Sequence, residues 1–185
     1  MHTLWIPETI HYDGSQLRSH WIMDHTSRIG DAIAAFIGGA DVGAKHMVDL
    51  EDRQQQAWIH SDQMLHFLVE HFDHDLLQTI HRQRLLIAIL GEELRVFHPE
   101  AILTRRGNDL FEGTAKLSVS IATASPISCL MHVGINIVST NTPVLTKGLR
   151  DYGIDPAPFA AKVMGRYAEE IASIAHARTK VRSVT

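Results

Sequence analysis

The chain has 185 residues, of which 45% are hydrophobic and 21% are charged, a composition typical of a globular domain. Its formal net charge of −4 argues against a nucleic-acid-binding protein, because such proteins usually carry a net basic surface. The one cysteine, Cys129, excludes an intrachain disulfide and favours a cytoplasmic protein. The sequence has no apolar run of about 18 residues, so we expect no membrane association. The length of the chain predicts a single domain over residues 1–185.

The first part of the chain predicts short elements. A turn at residues 13–15 predicts a helix over residues 16–25. The apolar run at residues 31–37, which glycines flank, predicts a buried strand, and residues 45–50 are a second strand candidate. Residues 64–72 (MLHFLVEHF) fit either a strand or a helix.

Two long helices are predicted in the rest of the chain. The first begins at an N-cap, Asp73 or Asp75, and reaches about Val96. The second begins at residues 155–156, where an aspartate cap precedes a proline at the first helical position, and runs to about residue 178.

Between these helices the pattern changes to strands. Residues 117–124 (LSVSIATA) and 129–138 (CLMHVGINIV) are strand candidates, and residues 101–104 are compatible with a short strand. The link between the two longer strands is too short for a crossover, so they should form an antiparallel hairpin. The order of elements predicts the α+β class, with a mixed, largely antiparallel sheet that helices flank.

Thirteen histidines raise the question of a metal site. His66, Glu70 and His74 recur every four residues, and on one face of a helix they would suit zinc, iron or manganese. On a strand, residues four apart are roughly 13 Å apart and could not share one metal ion directly. The strand is the slightly better interpretation, so a metal site at these residues, with or without His71, is an alternative hypothesis.

A second candidate site comprises residues 105–116 and the hairpin that follows. Lys116 leads into a strand whose small residues, Ser118 and Ser120 among them, leave room for a ligand above the sheet. Its ammonium could neutralise a phosphate or a carboxylate, whereas composition alone favours a solvent-facing lysine. The glycine-rich nucleotide motifs and the nucleophile elbow are absent from the sequence.

The run RGNDLFEGTAKLSVSIATA, followed by LMHVGINIV, resembles the core of the lipoate–protein and biotin–protein ligases, whose fold is like that of class II aminoacyl-tRNA synthetases. The matching positions are Asn108, Asp109, Lys116, Ser118, His132, Gly134 and Asn136. The resemblance implies a catalytic Lys116 that contacts an acyl carboxylate and its adenylate, with ATP as the cofactor. The Arg-Arg-x-x-Gly-Gly-Gly segment of such ligases has no counterpart between Gly43 and His66.

Nearly the whole chain is also similar to an uncharacterised family, catalogued as a domain of unknown function. The signatures are YDGSQLRSHW, MVDLED, MLHFLVEHFD, KLSVSIATASP and GINI. Three hypotheses follow. The protein binds a small carboxylate or adenylate-like ligand as an acyl-ligase or acyltransferase does, with Ser120 and the matching residues around the ligand. Alternatively, it is a metal-binding protein or hydrolase, or a non-catalytic interaction domain that forms a homodimer.

Overall fold

The computed structural model describes residues 1–184, so Thr185, the last residue of the predicted domain, lies outside the described part. The helices are α1 (Trp21–Thr26), α2 (Leu50–Gln54), α3 (Leu76–Phe97) and α4 (Pro156–Ala177), and a 3₁₀ turn covers Leu149–Tyr152. The strands are β1 (His2–Trp5), β2 (Ala32–Val42), β3 (Ile59–His71), β4 (Leu103–Arg106), β5 (Asp109–Glu112), β6 (Ala115–Lys116), β7 (Ser118–Ala124) and β8 (Cys129–Asn136).

The main sheet has five strands in the order β1-β2-β3-β8-β7. Only the pair β1–β2 is parallel within it, and the other pairs are antiparallel. The strands β4, β5 and β6 form a small second sheet. The predicted α+β class, with a mixed and largely antiparallel sheet, is confirmed, and so is the hairpin of β7 and β8.

The central strands of the main sheet are buried on both faces, because their side chains alternate between two cores. On β3, Leu65 and Phe67 belong to the larger hydrophobic cluster, which α3 and α4 complete on one face. Leu68 belongs to a second cluster, together with Trp21 of α1 and Phe36 of β2, on the other face. The two long helices therefore cover one face, and the N-terminal region covers the other.

The strand–helix ambiguity at residues 64–72 is resolved in favour of a strand, since β3 spans Ile59–His71. The predicted helix over residues 16–25 is shorter than expected, because His20 has a left-handed backbone (φ 63°) and α1 begins only after it. The predicted strand at residues 45–50 is wrong. Asp49 instead caps α2, because its side chain accepts hydrogen bonds from the backbone of the two following residues.

His71, at the end of β3, links the sheet to α4 through a buried hydrogen-bonded chain. Its Nδ1 lies 3.1 Å from Oδ2 of Asp31, and its Nε2 lies 2.9 Å from the hydroxyl of Tyr167. Because a carboxylate accepts, Nδ1 carries the proton and the Tyr167 hydroxyl donates to Nε2. The hydrogen bond from His71 also holds the pKa of Asp31 below its usual value.

We expect Tyr167→Phe to lower the free energy of unfolding by about 1–3 kcal/mol, because the buried Nε2 of His71 loses its donor. Urea denaturation at neutral pH measures the change. Tyr152→Phe is the matched control, since the Tyr152 hydroxyl lies near the Glu112 carboxylate but makes no hydrogen bond of normal geometry among residues 1–184. Equal effects of the two substitutions would contradict the role of the His71 link.

Candidate ligand cavity

A cavity of about 240 Å³ lies on the face of the main sheet away from α3 and α4. The sheet contributes Met64 of β3 and His132 of β8, and the segment between β2 and β3 contributes further wall residues. The apolar part of the wall comprises Leu17, Ala40, Val42, Met47, Val48, Ile59, Met64, Val119 and Ile121. The polar part comprises Tyr12, His46, Asp49, Asp52, Asn108, Asp109, Lys116, Ser120 and His132.

Lys116 and Asp109 form an ion pair in the cavity wall, with Nζ 2.7 Å from Oδ2. The side chain of Lys116 keeps 29% of its surface exposed, and that of Asp109 keeps 18%. The second oxygen, Oδ1 of Asp109, is buried without a hydrogen-bond partner in the described part of the chain. Burial raises the pKa of Asp109, and the charge of Asp52 adds to this effect while Lys116 opposes it.

Five of the eight predicted ligand-site residues line this cavity: Asn108, Asp109, Lys116, Ser120 and His132. Asn108 and Ser120 are also tied to each other. The Asn108 amide donates to the Ser120 carbonyl at 2.9 Å, and the Ser120 hydroxyl donates to the Asn108 carbonyl at 2.6 Å. These bonds hold the Asn108–Asp109 turn against β7 and thereby position Asp109 opposite Lys116.

The other three predicted residues lie outside the wall. The buried hydroxyl of Ser118 accepts a hydrogen bond from the Leu110 backbone, so it joins β7 to the small sheet. The side chain of Asn136 donates to the Lys116 carbonyl at 3.4 Å. Gly134 lies beneath Met64, whose Cε would be 2.8 Å from a Cβ at this position. These residues support the cavity without facing it.

His66 and His132 form a buried pair that the sequence analysis did not connect. Nδ1 of His66 lies 3.0 Å from Nε2 of His132, and Nε2 of His66 lies 3.2 Å from the Gly38 carbonyl. Burial lowers the pKa of His66 to about 4, and it lowers the pKa of His132 well below the usual value. Both rings are therefore neutral at neutral pH.

Tyr12 is a cavity residue that the sequence analysis missed. Its ring stacks on His132 with 3.8 Å between ring centroids, although only 3% of the residue is exposed. Backbone hydrogen bonds to Gly39 and from Asp41 hold Tyr12 along the edge of β2. Its presence in the YDGSQLRSHW signature was the one available signal, because no periodicity predicts a contact between residues so far apart.

The residues of the metal hypothesis are not brought together. His66 is bound to His132, while Glu70 accepts hydrogen bonds from the His20 backbone and, at 2.7 Å, from the Ser128 hydroxyl. His74 lies in the short irregular segment between β3 and α3. Because β3 is extended, His66 and Glu70 are roughly 13 Å apart. Residues 1–184 contain no group of three or more histidine, cysteine or acidic side chains that could hold a metal ion.

Comparison with known proteins agrees with the full-length resemblance. Residues 1–182 match the family described as "Domain of unknown function (DUF366)". The chain belongs to this family. An uncharacterised protein of Methanocaldococcus jannaschii is 33% identical over 181 residues, which cover 94% of this chain and 81% of the relative. A solved protein of unknown function from Pyrococcus horikoshi has a TM-score of 0.89 at 36% identity, covering 99% of this chain and 100% of that one.

Two ligases share the fold of this DUF366 protein at much lower identity. The biotin protein ligase of Aquifex aeolicus, in complex with biotin and ATP, has a TM-score of 0.60 at 13% identity, covering 89% of this chain and 68% of that one. A lipoate-protein ligase A bound with ATP has a TM-score of 0.54 at 15% identity, covering 92% and 85% of the two chains. The predicted ligase-like fold is confirmed, and the likeness concerns the fold alone.

Within residues 1–184, no helix has both the length and the apolar character that crossing a membrane requires.

We expect Lys116→Met to destabilise the protein by about 1–2 kcal/mol at pH 7, because it leaves the half-buried Asp109 carboxylate without its counter-charge. The loss should shrink as the pH falls toward the raised pKa of Asp109, since the protonated carboxyl carries no charge. Urea denaturation at pH 5 and pH 7 tests both points. The double variant Lys116→Met/Asp109→Asn should recover most of the loss, and a pH-independent loss would contradict this account.

Proposed function

We propose that the cavity binds a small ligand with one anionic group, a carboxylate or an adenylate-like phosphate, and that the site is of the acyl-ligase or acyltransferase type. The observation that carries the proposal is the Lys116–Asp109 pair in the cavity wall. Because Lys116 is partly exposed, its ammonium can contact a ligand anion at the mouth of the cavity while Asp109 keeps it oriented. Lys116 is thus the proposed catalytic residue.

The remaining walls suit an organic ligand rather than an inorganic anion. Side chains such as Met64, Val119 and Ile121 give the cavity a continuous apolar side, which could bury an acyl chain. Asn108 and Ser120 add polar residues to the cavity wall that contains Lys116. A carboxylic acid with a short hydrocarbon chain matches this division into one charged and one apolar part.

The fold likeness supports the same class of ligand. The solved relatives of this fold include ligases whose structures hold biotin and ATP or ATP alone. A shared fold does not carry an activity with it, so the proposal depends on the cavity residues of this chain.

The cavity does not fit ATP, the cofactor that the ligase resemblance implies. Three aspartates, Asp49, Asp52 and Asp109, line the cavity beside the single Lys116, and a triphosphate would bring several further negative charges among them. The region between β2 and β3 forms α2 and turns in place of an arginine- and glycine-rich segment. ATP therefore stays outside the proposed reaction. Of the two reaction types the acyltransferase, which takes an acyl group that is already activated, fits the cavity better, and so does a ligand with one anionic group.

Isothermal titration tests the proposal with octanoate, lipoate, biotin, AMP and ATP. We expect at least one carboxylate or AMP to bind more tightly than ATP. Lys116→Ala should weaken that binding by about 10- to 100-fold, because a hydrogen bond to a charged group contributes about 1.5–3 kcal/mol. Lys147→Ala is the matched control, since Lys147 pairs with Glu112 away from the cavity. Failure of all five probes to bind, or unchanged binding in Lys116→Ala, would overturn the proposal.

Gly134→Ala should weaken ligand binding by about tenfold without unfolding the protein. The added methyl would lie 2.8 Å from Cε of Met64, the flexible end of a side chain that lines the cavity, so Met64 must move into the cavity. Gly165→Ala on α4 is the control, because an added Cβ there meets no atom within 4 Å. Titration with the tightest-binding of the five probes measures the affinity of each variant, and a thermal melt measures its stability. Unchanged affinity in Gly134→Ala would show that Met64 can move away from the cavity.

A further inference from the structure

The polar wall of the cavity contains a histidine whose proton is fixed by its neighbours. His132 is 4% exposed, lines the cavity and stacks on Tyr12. On its other side the ring contacts His66, which in turn contacts the carbonyl of Gly38. The three groups form one hydrogen-bonded row across β2, β3 and β8.

The direction of this row follows from the Gly38 carbonyl, which can only accept a hydrogen bond. Nε2 of His66, 3.2 Å away, therefore carries the proton of the neutral ring, and its Nδ1 is an acceptor. The 3.0 Å contact with Nδ1 then requires Nε2 of His132 to donate. Nδ1 of His132 is left as an unprotonated acceptor.

Two acceptors on the cavity wall have no partner within the part of the chain that the structure describes. One is Oδ1 of Asp109, which is buried, and the other is Nδ1 of His132, which makes no hydrogen bond to the described residues and is not fully buried. An acceptor that faces a cavity without a protein partner takes its hydrogen bond from water or from a ligand. We infer that the ligand carries N–H or O–H donors, of the amide, urea or hydroxyl type, which Nδ1 of His132 recognises. This inference rests on the proposed function and adds a second recognised group to the anion bound by Lys116.

A purely structural histidine would not need this arrangement. A phenylalanine at position 132 could also stack on Tyr12. The His66–His132 pair requires a second buried imidazole, and burying the imidazole of His66 is costly unless both of its nitrogens are bonded. The sheet accommodates the pair by a local irregularity, since the β2–β3 register shifts between Gly38 and Ala40, where the Gly38 carbonyl accepts from His66. The stacking on Tyr12, the buried His66 and the Gly38 carbonyl together fix Nδ1 of His132 as an acceptor at the cavity wall.

The test compares two carboxylates of similar length, adipic acid monoamide and adipic acid monomethyl ester. Both carry the anion for Lys116, but only the amide has N–H donors at its other end. We expect the amide to bind about fivefold more tightly, the effect of one neutral hydrogen bond. His132→Phe should abolish the difference while keeping the stacking on Tyr12. His60→Phe, which alters a histidine outside the cavity, should leave the difference intact.

The outcomes separate the inference from the proposed function. Equal binding of the two probes, or a preference for the amide that survives in His132→Phe, would overturn the inference while the anion site stands. Binding of neither probe would overturn both. A second measurement guards against an unstable variant, because long-range ¹H–¹⁵N spectra of the unmodified protein report which nitrogen of His132 is protonated. A proton on Nδ1 would overturn the inference, and a proton on Nε2 supports it.

Discussion

Residues 64–71 of the strand β3 are buried on both faces, so the polar side chains of this part need partners inside the protein. His66 binds His132, Glu70 binds the backbone of His20 and the hydroxyl of Ser128, and His71 binds Asp31 and Tyr167. Each partner comes from a different region of the chain. The need to satisfy three polar groups on one buried strand therefore fixes the positions of β8, α1 and α4 around it.

The two faces of the main sheet differ in the polarity of their buried side chains. On the helical face, β3 and β8 present mainly apolar side chains, which pack against α3 and α4, and the one buried histidine there, His71, bonds to Tyr167 of α4. On the opposite face the same strands present His66 and His132 beside Met64. Because the side-chain period of a strand is two residues, a polar face of this kind can exist within a sheet that is otherwise apolar. The cavity uses that face.

Much of the fold could be predicted from local chemistry. Asp75 and Asp155 are N-caps in the structure, and the two long helices begin where those caps predict. Residues 45–50 misled the prediction, because the capping hydrogen bonds of Asp49 outweigh the weak apolar pattern. The histidine spacing was ambiguous for a related reason, since a four-residue repeat keeps side chains on one face of both a helix and a strand.

The candidate site was only partly predictable. Asn108, Asp109 and Lys116 are close in sequence, and their turn could be recognised as one unit. Tyr12 and His132 meet through tertiary packing, which leaves no local pattern in either segment. The single domain over residues 1–185 stays a prediction.

The His66–His132 contact has a consequence for how the protein folds. The two residues are 66 positions apart, and the His71–Tyr167 contact spans 96 positions. Closing such long loops is slow compared with forming the local helices α3 and α4, because the chain loses entropy before the contacts stabilise it. During synthesis β2 and β3 are made before β8, so His66 lacks its His132 partner and Glu70 lacks its Ser128 partner until those later segments emerge. The cavity, whose wall includes both Tyr12 and His132, can therefore form only after β8 has been made.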